Sequence, residues 1–278
     1  MRISHLFILL AASAMLTACD FLDEYNPNSV TVGNYYTSEE DIVASLNGVY
    51  TSLTQSYVAD NYHYFTDVRA NATVVTNSGA NSGIPYQFYN YTLTEENVYV
   101  YNRYSQLYKI ISRANTLFAH LGDVSYATPS ARDTYEAEAR FLRAYFYFEL
   151  VKRYGGVPII GDKVYELNEN IELPRSTFEQ CIKYIVSELD DIKDDLRSLP
   201  LPDAAASAHV VNTQAAQALK IRVLLYAASP LFNEKPIESG NELIGYASYD
   251  RERWKIAADA ARNFINTYGT GDGAIMGL

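Results

Sequence analysis

Cysteine and tryptophan are nearly missing from this sequence, with two and one among 278 residues, and histidine occurs four times. Basic residues are also scarce: 22 Lys and Arg face 33 Asp and Glu, a formal charge of −11. A surface that tracks phosphates needs a basic stripe, so nucleic acid is excluded as a partner, and a bare acidic membrane surface with it. His5, His63, His120 and His209 show no close metal-ligand spacing, and no metal site is expected. The aspartates 190, 191, 194 and 195 crowd one helix, whereas a calcium site draws its ligands from a loop, so they read as a solvated face. Gly269, Gly271 and Gly273 precede no helix and make no phosphate cradle. Gly79 to Gly83 miss the Gly-x-Ser-x-Gly spacing, and no nucleophile with its base, nor carboxylate pair, can be named. The chain reads as a non-enzyme without a cofactor.

What is abundant is tyrosine: 25 residues, against 11 phenylalanines. Tyrosine joins a flat apolar face to a polar tip and suits surfaces that stay partly wet. Hydrophobic residues at 48% and charged residues at 20% fit a packed core and argue against disorder.

The N-terminus carries a leader. Arg2 is followed by an apolar run from Leu6 to Met15, too short to span a bilayer and followed by polar residues, as in a secretory signal peptide. Leu16-Thr17-Ala18-Cys19 has the form of a bacterial lipobox, which makes residues 1–18 the signal peptide and Cys19 the lipidated residue. More than one acyl chain is needed for stable anchoring. Residues 19–36 read as a lipid-anchored tether, and 37–278 as the folded domain. No second long apolar run follows. Cys181 lies among Phe178, Ile182, Ile185 and Leu189 at helical spacing and reads as a buried free thiol.

The domain reads as helical. Ser38 and Asp41 form a capping box for a helix to about residue 53. Residues 56–100, rich in Asn, Ser, Gly, Tyr and Thr, read as loops with room for short strands. Helical spacing returns over 100–121 through Tyr104, Tyr108, Ile111, Ala114 and Leu117. Thr128 and Pro129 predict the cap and first residue of a helix that runs to Tyr154 and stops at Gly155-Gly156. Phe141, Tyr145 and Phe148 mark one face of it and Leu142, Phe146 and Leu150 another, so neighbours must cover both. Ser176 and Glu179 predict a capping box and a helix to about 199, closed by Pro200 and Pro202. Further helices are expected from Thr213 to about 229 and from an Asp250 cap to Tyr268. Consecutive helix pairs of this length, with Trp254, Ala257, Ala258 and Ala261 spaced as in a repeat's first helix, point to an all-α, tetratricopeptide-like solenoid with long loop insertions.

Glu138 to Pro158 (Glu-Ala-Arg-Phe-Leu-Arg-Ala-Tyr-Phe-Tyr-Phe-Glu-Leu-Val-Lys-Arg-Tyr-Gly-Gly-Val-Pro) resembles the signature segment of the SusD/RagB family. Four more segments agree in order. They are Cys19-Asp-Phe-Leu-Asp at the mature start, Tyr108-x-x-Ile111-x-x-Ala114-Asn115, Pro174-Arg175-Ser176, and Ala215 to Asn233. Two features depart from the pattern: Tyr104 stands where the family often has Trp, and family members are far longer. The C-terminal part of the family fold is therefore expected to be missing, and 37–278 to be the N-terminal helical-repeat domain.

The resemblance implies an outer-membrane lipoprotein facing the exterior, with Asp20, Asp23 and Glu24 behind the cysteine in keeping with surface display. It implies a SusC-like TonB-dependent barrel as partner, and glycans, or in the RagB-like branch peptides, as ligand. A surface scaffold or adhesin using the solenoid for protein contacts alone is the reading from another class. Ligand contacts are expected where aromatics and amides interleave outside the helices. One such run is Tyr86, Phe88, Tyr89, Asn90 and Tyr91; the other is Asn61, Tyr62, His63 and Tyr64 with Asp67, Arg69 and Asn71.

Overall fold

The computed structural model describes residues 31–54, 92, 94–166, 168–197 and 210–269. The chain divides into two units, Met1–Tyr36 and Thr37–Leu278. In the first, Thr31 caps the short helix α1 (Val32–Tyr35), its backbone N–H bonded to Asn34 Oδ1 at 2.7 Å.

The second unit is helical throughout its described residues: α2 (Glu39–Tyr50), a 3₁₀ turn (Thr51–Thr54), α3 (Val98–His120), α4 (Ala131–Tyr154), α5 (Phe178–Asp191), α6 (Thr213–Ala228), α7 (Pro230–Asn233) and α8 (Glu252–Tyr268). Each long helix packs on the next, α3 on α4, α4 on α5, α5 on α6 and α6 on α8, while α2 lies against both α3 and α4. The all-α expectation holds, and no strand occurs among the described residues. No described helix is long and apolar enough to cross a membrane.

Local chemistry explains most boundaries. Ser38 caps α2 reciprocally: Asp41 N–H donates to Ser38 Oγ, and Ser38 N–H donates to Asp41 Oδ2 at 2.9 Å. In α3, Leu107, Ile110, Ile111, Ala114 and Leu117 are fully buried at spacings of three and four, a single stripe on one face. In α4, by contrast, buried residues run around most of the circumference, from Ala137 to Val151. That is the two-faced helix expected, with α3 and α5 on its sides. It ends where Gly155 adopts φ 70°, a left-handed conformation that costs glycine little.

Four boundaries differ from the sequence expectation. The helix begins at Ala131 rather than Pro129, because Thr128 and Ala131 close a turn (Ala131 N–H to Thr128 O, 3.1 Å) before it. The box of α5 is Thr177 with Gln180, not Ser176 with Glu179. The N–H of Ser176 is spent on Val157 O at 3.2 Å, so the cap falls one residue later, where Thr177 and Gln180 bond reciprocally at 3.1 and 2.8 Å. Helix α5 stops at Asp191 instead of running to 199, because Thr213 takes the carbonyls beyond it, Lys193 O at 3.0 Å and Arg197 O at 2.9 Å. Pro200 and Pro202 lie outside the described residues. At α8 the cap position is Arg251, yet Asp250 Oδ1 still accepts the N–H of Glu252 at 2.9 Å.

Cys181 is buried and free, as its neighbours predict, with its sulfur between the N–H and carbonyl of Val157 at 3.4 Å each. Burial pushes its thiol pKa up, which keeps the unreactive protonated form. A chain carrying Cys19→Ser should therefore show almost no thiol reactive toward a disulfide reagent at pH 8, and one equivalent after unfolding in guanidinium. Rapid reaction of the folded chain would contradict the packing.

Candidate functional site

A groove in the described surface is lined by three tyrosines, Tyr104, Tyr108 and Tyr165. Helix α3 supplies Tyr104, Tyr108 and Ser112 as its floor, and the segment after Pro158 supplies Ile160, Tyr165 and Leu173 as its rim, enclosing about 370 Å³. Its size suits a small-molecule cleft, about 300–1,000 Å³. Ile171 and Leu173 on the rim are 53% and 39% exposed, so apolar surface stands open to water there.

The floor is built by helix periodicity. Tyr104 and Tyr108 are one turn apart on α3, so their rings meet, with centroids 4.9 Å apart. Tyr154, at the end of α4, packs edge-on against Tyr104 at 5.2 Å and donates its hydroxyl to Val100 O at 2.7 Å. Behind Tyr108 the ring chain continues inward through Tyr147 at 6.4 Å to Tyr184. Tyr108 donates to Pro158 O at 2.6 Å, and Tyr147 Oη accepts the N–H of Ile160 at 3.0 Å. These two bonds pin the start of the rim to the floor. Burial, then the neighbouring Tyr104, raises the Tyr108 hydroxyl pKa, and burial pushes Tyr147 up to about 12, so both stay neutral at physiological pH. On the rim, the Lys163 ammonium sits 4.3 Å over the Tyr165 ring and is paired with Glu169. The groove is thus lined by tyrosine rings and aliphatic side chains, with the Ser112 and tyrosine hydroxyls as its polar groups and the Lys163 ammonium over Tyr165 beside it.

A second cluster lies on the other side of the same rim. Arg143, 2% exposed, donates to Asn115 Oδ1 at 2.9 Å, Asp162 Oδ1 at 2.6 Å and Glu188 Oε2 at 2.7 Å, with its guanidinium 4.6 Å over the Phe118 ring. Arg140 joins Glu188 at 2.8 Å and Asp191 at 3.3 Å, and Lys220 binds Asp190 at 2.6 Å. The aspartate stripe is therefore partly engaged in ion pairs rather than merely solvated. No group of three or more His, Cys, Asp or Glu among the described residues could hold a metal.

Cys19 and both aromatic runs chosen from the sequence, within 61–71 and 86–91, lie outside the described residues. The groove uses other residues. In the sequence Tyr104 and Tyr108 stand out for helical spacing and for their place in the family-like segment, not as ligand contacts. Tyr165, Ile171 and Leu173 had not been singled out, although apolar residues recurring in a charged segment (Asp162, Lys163, Glu166, Glu169, Glu172) were a usable signal.

A SusD-like family model, described as starch-binding and associating with the outer membrane, matches residues 20–225. SusD-like protein P38 of Formosa agariphila is 25% identical over 196 residues, which is 70% of this chain and 38% of that protein. Among solved structures, a SusD homolog from Bacteroides thetaiotaomicron superposes with a TM-score of 0.62 at 22% identity, covering 86% of this chain and 43% of that one. A laminarin-binding SusD-like protein superposes with a TM-score of 0.57 at 24% identity, over 69% of this chain and 41% of that one. This chain spans about two fifths of the length of those relatives. The stacked helix pairs are the fold of those structures, and the matched stretch runs through most of the sequence: the chain belongs to the SusD-like family.

Proposed function

We propose that this chain is a surface lipoprotein, anchored through Cys19, that captures oligosaccharides and passes them to a SusC-like TonB-dependent barrel without altering them. The observation that carries the reading is the open tyrosine groove of Tyr104, Tyr108 and Tyr165 in a member of a starch-binding family. A pyranose ring has an apolar face and a hydroxyl edge, so it stacks on a tyrosine ring while its hydroxyls meet polar groups around it. The relative named as laminarin-binding supports a glucan as the class of ligand. The sequence runs at 61–71 and 86–91 remain proposed contributors to the same task. Leader removal after Ala18 and diacylation of Cys19 would leave the helical unit outside the cell, and the barrel partner would supply transport energy.

Calorimetry of the mature protein against maltoheptaose, laminariheptaose and a peptide library tests the reading. One of the two glucans should bind, and Tyr104→Ala and Tyr165→Ala should each weaken it about tenfold or more, the loss of about 1.4 kcal/mol of stacking. Helical circular dichroism should be unchanged. Binding of peptides alone would replace the glycan assignment with peptide capture. Incorporation of labelled palmitate that Cys19→Ser abolishes tests the anchor, and co-purification with a barrel tests the partner; a scaffold or adhesin would give neither glycan binding nor a barrel.

A further inference from the structure

We infer that Asn115 is a positioning residue for the groove, holding its rim in place from inside the helical core through the carbonyls of Gly161 and Lys163. The inference rests on the reading of the groove as the ligand surface.

The rim segment has no helix of its own to hold it. Its course from Pro158 to Lys163 is set instead by side chains of α3 and α4. Tyr108 and Tyr147 fix its first residues, as described, and Asn115 fixes the turn beyond them. Asn115 is fully buried and lies two turns along α3 from Tyr108. Its Nδ2 donates to Gly161 O at 2.8 Å and to Lys163 O at 2.9 Å. Its Oδ1 accepts from Arg143 Nη1 at 2.9 Å. Both amide hydrogens and the amide oxygen are thus committed, and the orientation is forced, because a guanidinium cannot accept and a carbonyl cannot donate. Arg143 repeats the hold, donating to Gly161 O at 3.1 Å and to Asp162 Oδ1.

What the turn carries is the reason to assign a positioning role. Gly161, at φ 58°, reverses the chain, and Lys163 and Tyr165 follow within four residues. The Tyr165 ring lines the groove, and the Lys163 ammonium sits over that ring. If the turn swings free, Tyr165 no longer faces Tyr104 and Tyr108 at a fixed spacing, and a ligand must order the segment before binding it.

Asn115→Asp is the sharpest test, because it keeps shape and keeps an acceptor for Arg143 but removes both donors. In hydrogen exchange, the amides of Ile160 and Lys163 should exchange about tenfold faster, while those of α4 keep their protection. Affinity for the glucan bound by the parent chain should fall about fivefold, and saturating glucan should restore much of the lost protection. A merely structural asparagine would not give protection that the ligand returns. Asp162→Ala, at an exposed residue, removes the side-chain half of the second hold and should act in the same direction, so the test survives if Asn115→Asp folds poorly; Asp162→Asn, which keeps an acceptor, should rescue it. Unchanged exchange at Ile160 and Lys163 in both variants overturns the inference. So does faster exchange with full affinity, provided Tyr165→Ala weakens binding. If Tyr104→Ala and Tyr165→Ala bind as the parent does, it is the groove assignment that fails, and faster exchange in Asn115→Asp then marks a clasp with no ligand role.

Discussion

Replacing Gly156 by alanine should cost about 4 kcal/mol of stability, among the largest effects a single methyl can have, and lower the melting temperature by roughly 8–16 °C. A Cβ at that position would stand 2.0 Å from Ser176 O, 2.9 Å from Thr177 C and 3.0 Å from Phe178 N. All three are backbone atoms, so no rotamer change gives relief. The segment cannot slide away either. The N–H of Gly156 donates to Leu243 O at 2.5 Å, its carbonyl accepts from Arg175 Nε at 2.7 Å, and Phe178 N–H is held by Glu242 O at 2.8 Å. Three stretches of chain, the end of α4, the start of α5 and the loop before α8, meet at this glycine pair. Gly155 shares the constraint, with φ 70° and a Cβ that would stand 2.2 Å from Leu243 O. Gly48 is the matched control: it lies in α2, and a Cβ there meets nothing within 4 Å. Gly48→Ala should stabilise by about 0.5–1 kcal/mol, the ordinary gain of alanine over glycine in a helix. Thermal melts of the three chains by circular dichroism check the order. Equal melting temperatures for Gly156→Ala and the parent would mean that the helix ends are not packed as described.

The helices were legible because their signals are local. The Ser38–Asp41 box, the buried spacing of Ile111, Ala114 and Leu117 and the glycine stop after Tyr154 need only neighbours in sequence, and each is where the pattern places it. Where two local signals compete, tertiary bonds decide. Ser176 and Thr177 both satisfy the capping pattern, and only the pairing of Ser176 with Val157 O selects the second. The end of α5 is set by Thr213, twenty residues on from Lys193, whose carbonyl it takes. The groove was illegible for the same reason in stronger form. Its floor coincides with a helix stripe that a core explains equally well, and its rim is placed by Asn115, Arg143 and Tyr147, none adjacent to it in sequence. Tyrosine abundance pointed to partly wet aromatic surfaces but also to runs outside the helices. The tyrosines at the groove come instead from α3 and the rim, with Tyr154 of α4 packed against Tyr104.

Arg143 should be among the most sensitive charged positions of the described residues. Arg143→Met is expected to cost about 3–5 kcal/mol, because it strands groups that the fold has already removed from water. Glu188, itself buried, would keep only Arg140, which is partly exposed; Asn115 Oδ1 would lose its donor; and Asp162 would lose its tie to the core. Arg143→Lys should recover only part of the loss. One ammonium cannot reach Asn115, Asp162 and Glu188 along the directions a planar fork serves at once, nor lie flat on the Phe118 ring. The pair with Glu188 can be isolated by a double-mutant cycle. Arg143→Met with Glu188→Leu removes both charges, so the double variant should be less destabilised than the two single losses added together, by about 1–3 kcal/mol. Urea unfolding followed at 222 nm gives all four values. Strict additivity would mean that the two groups do not feel each other, and the signature segment's second arginine would then owe its place to Asn115, Asp162, Gly161 O and the Phe118 ring. A coupling of the expected size would instead identify this pair as a joint between α4 and α5, made by the same guanidinium that also holds Asn115 of α3 and Asp162 of the rim.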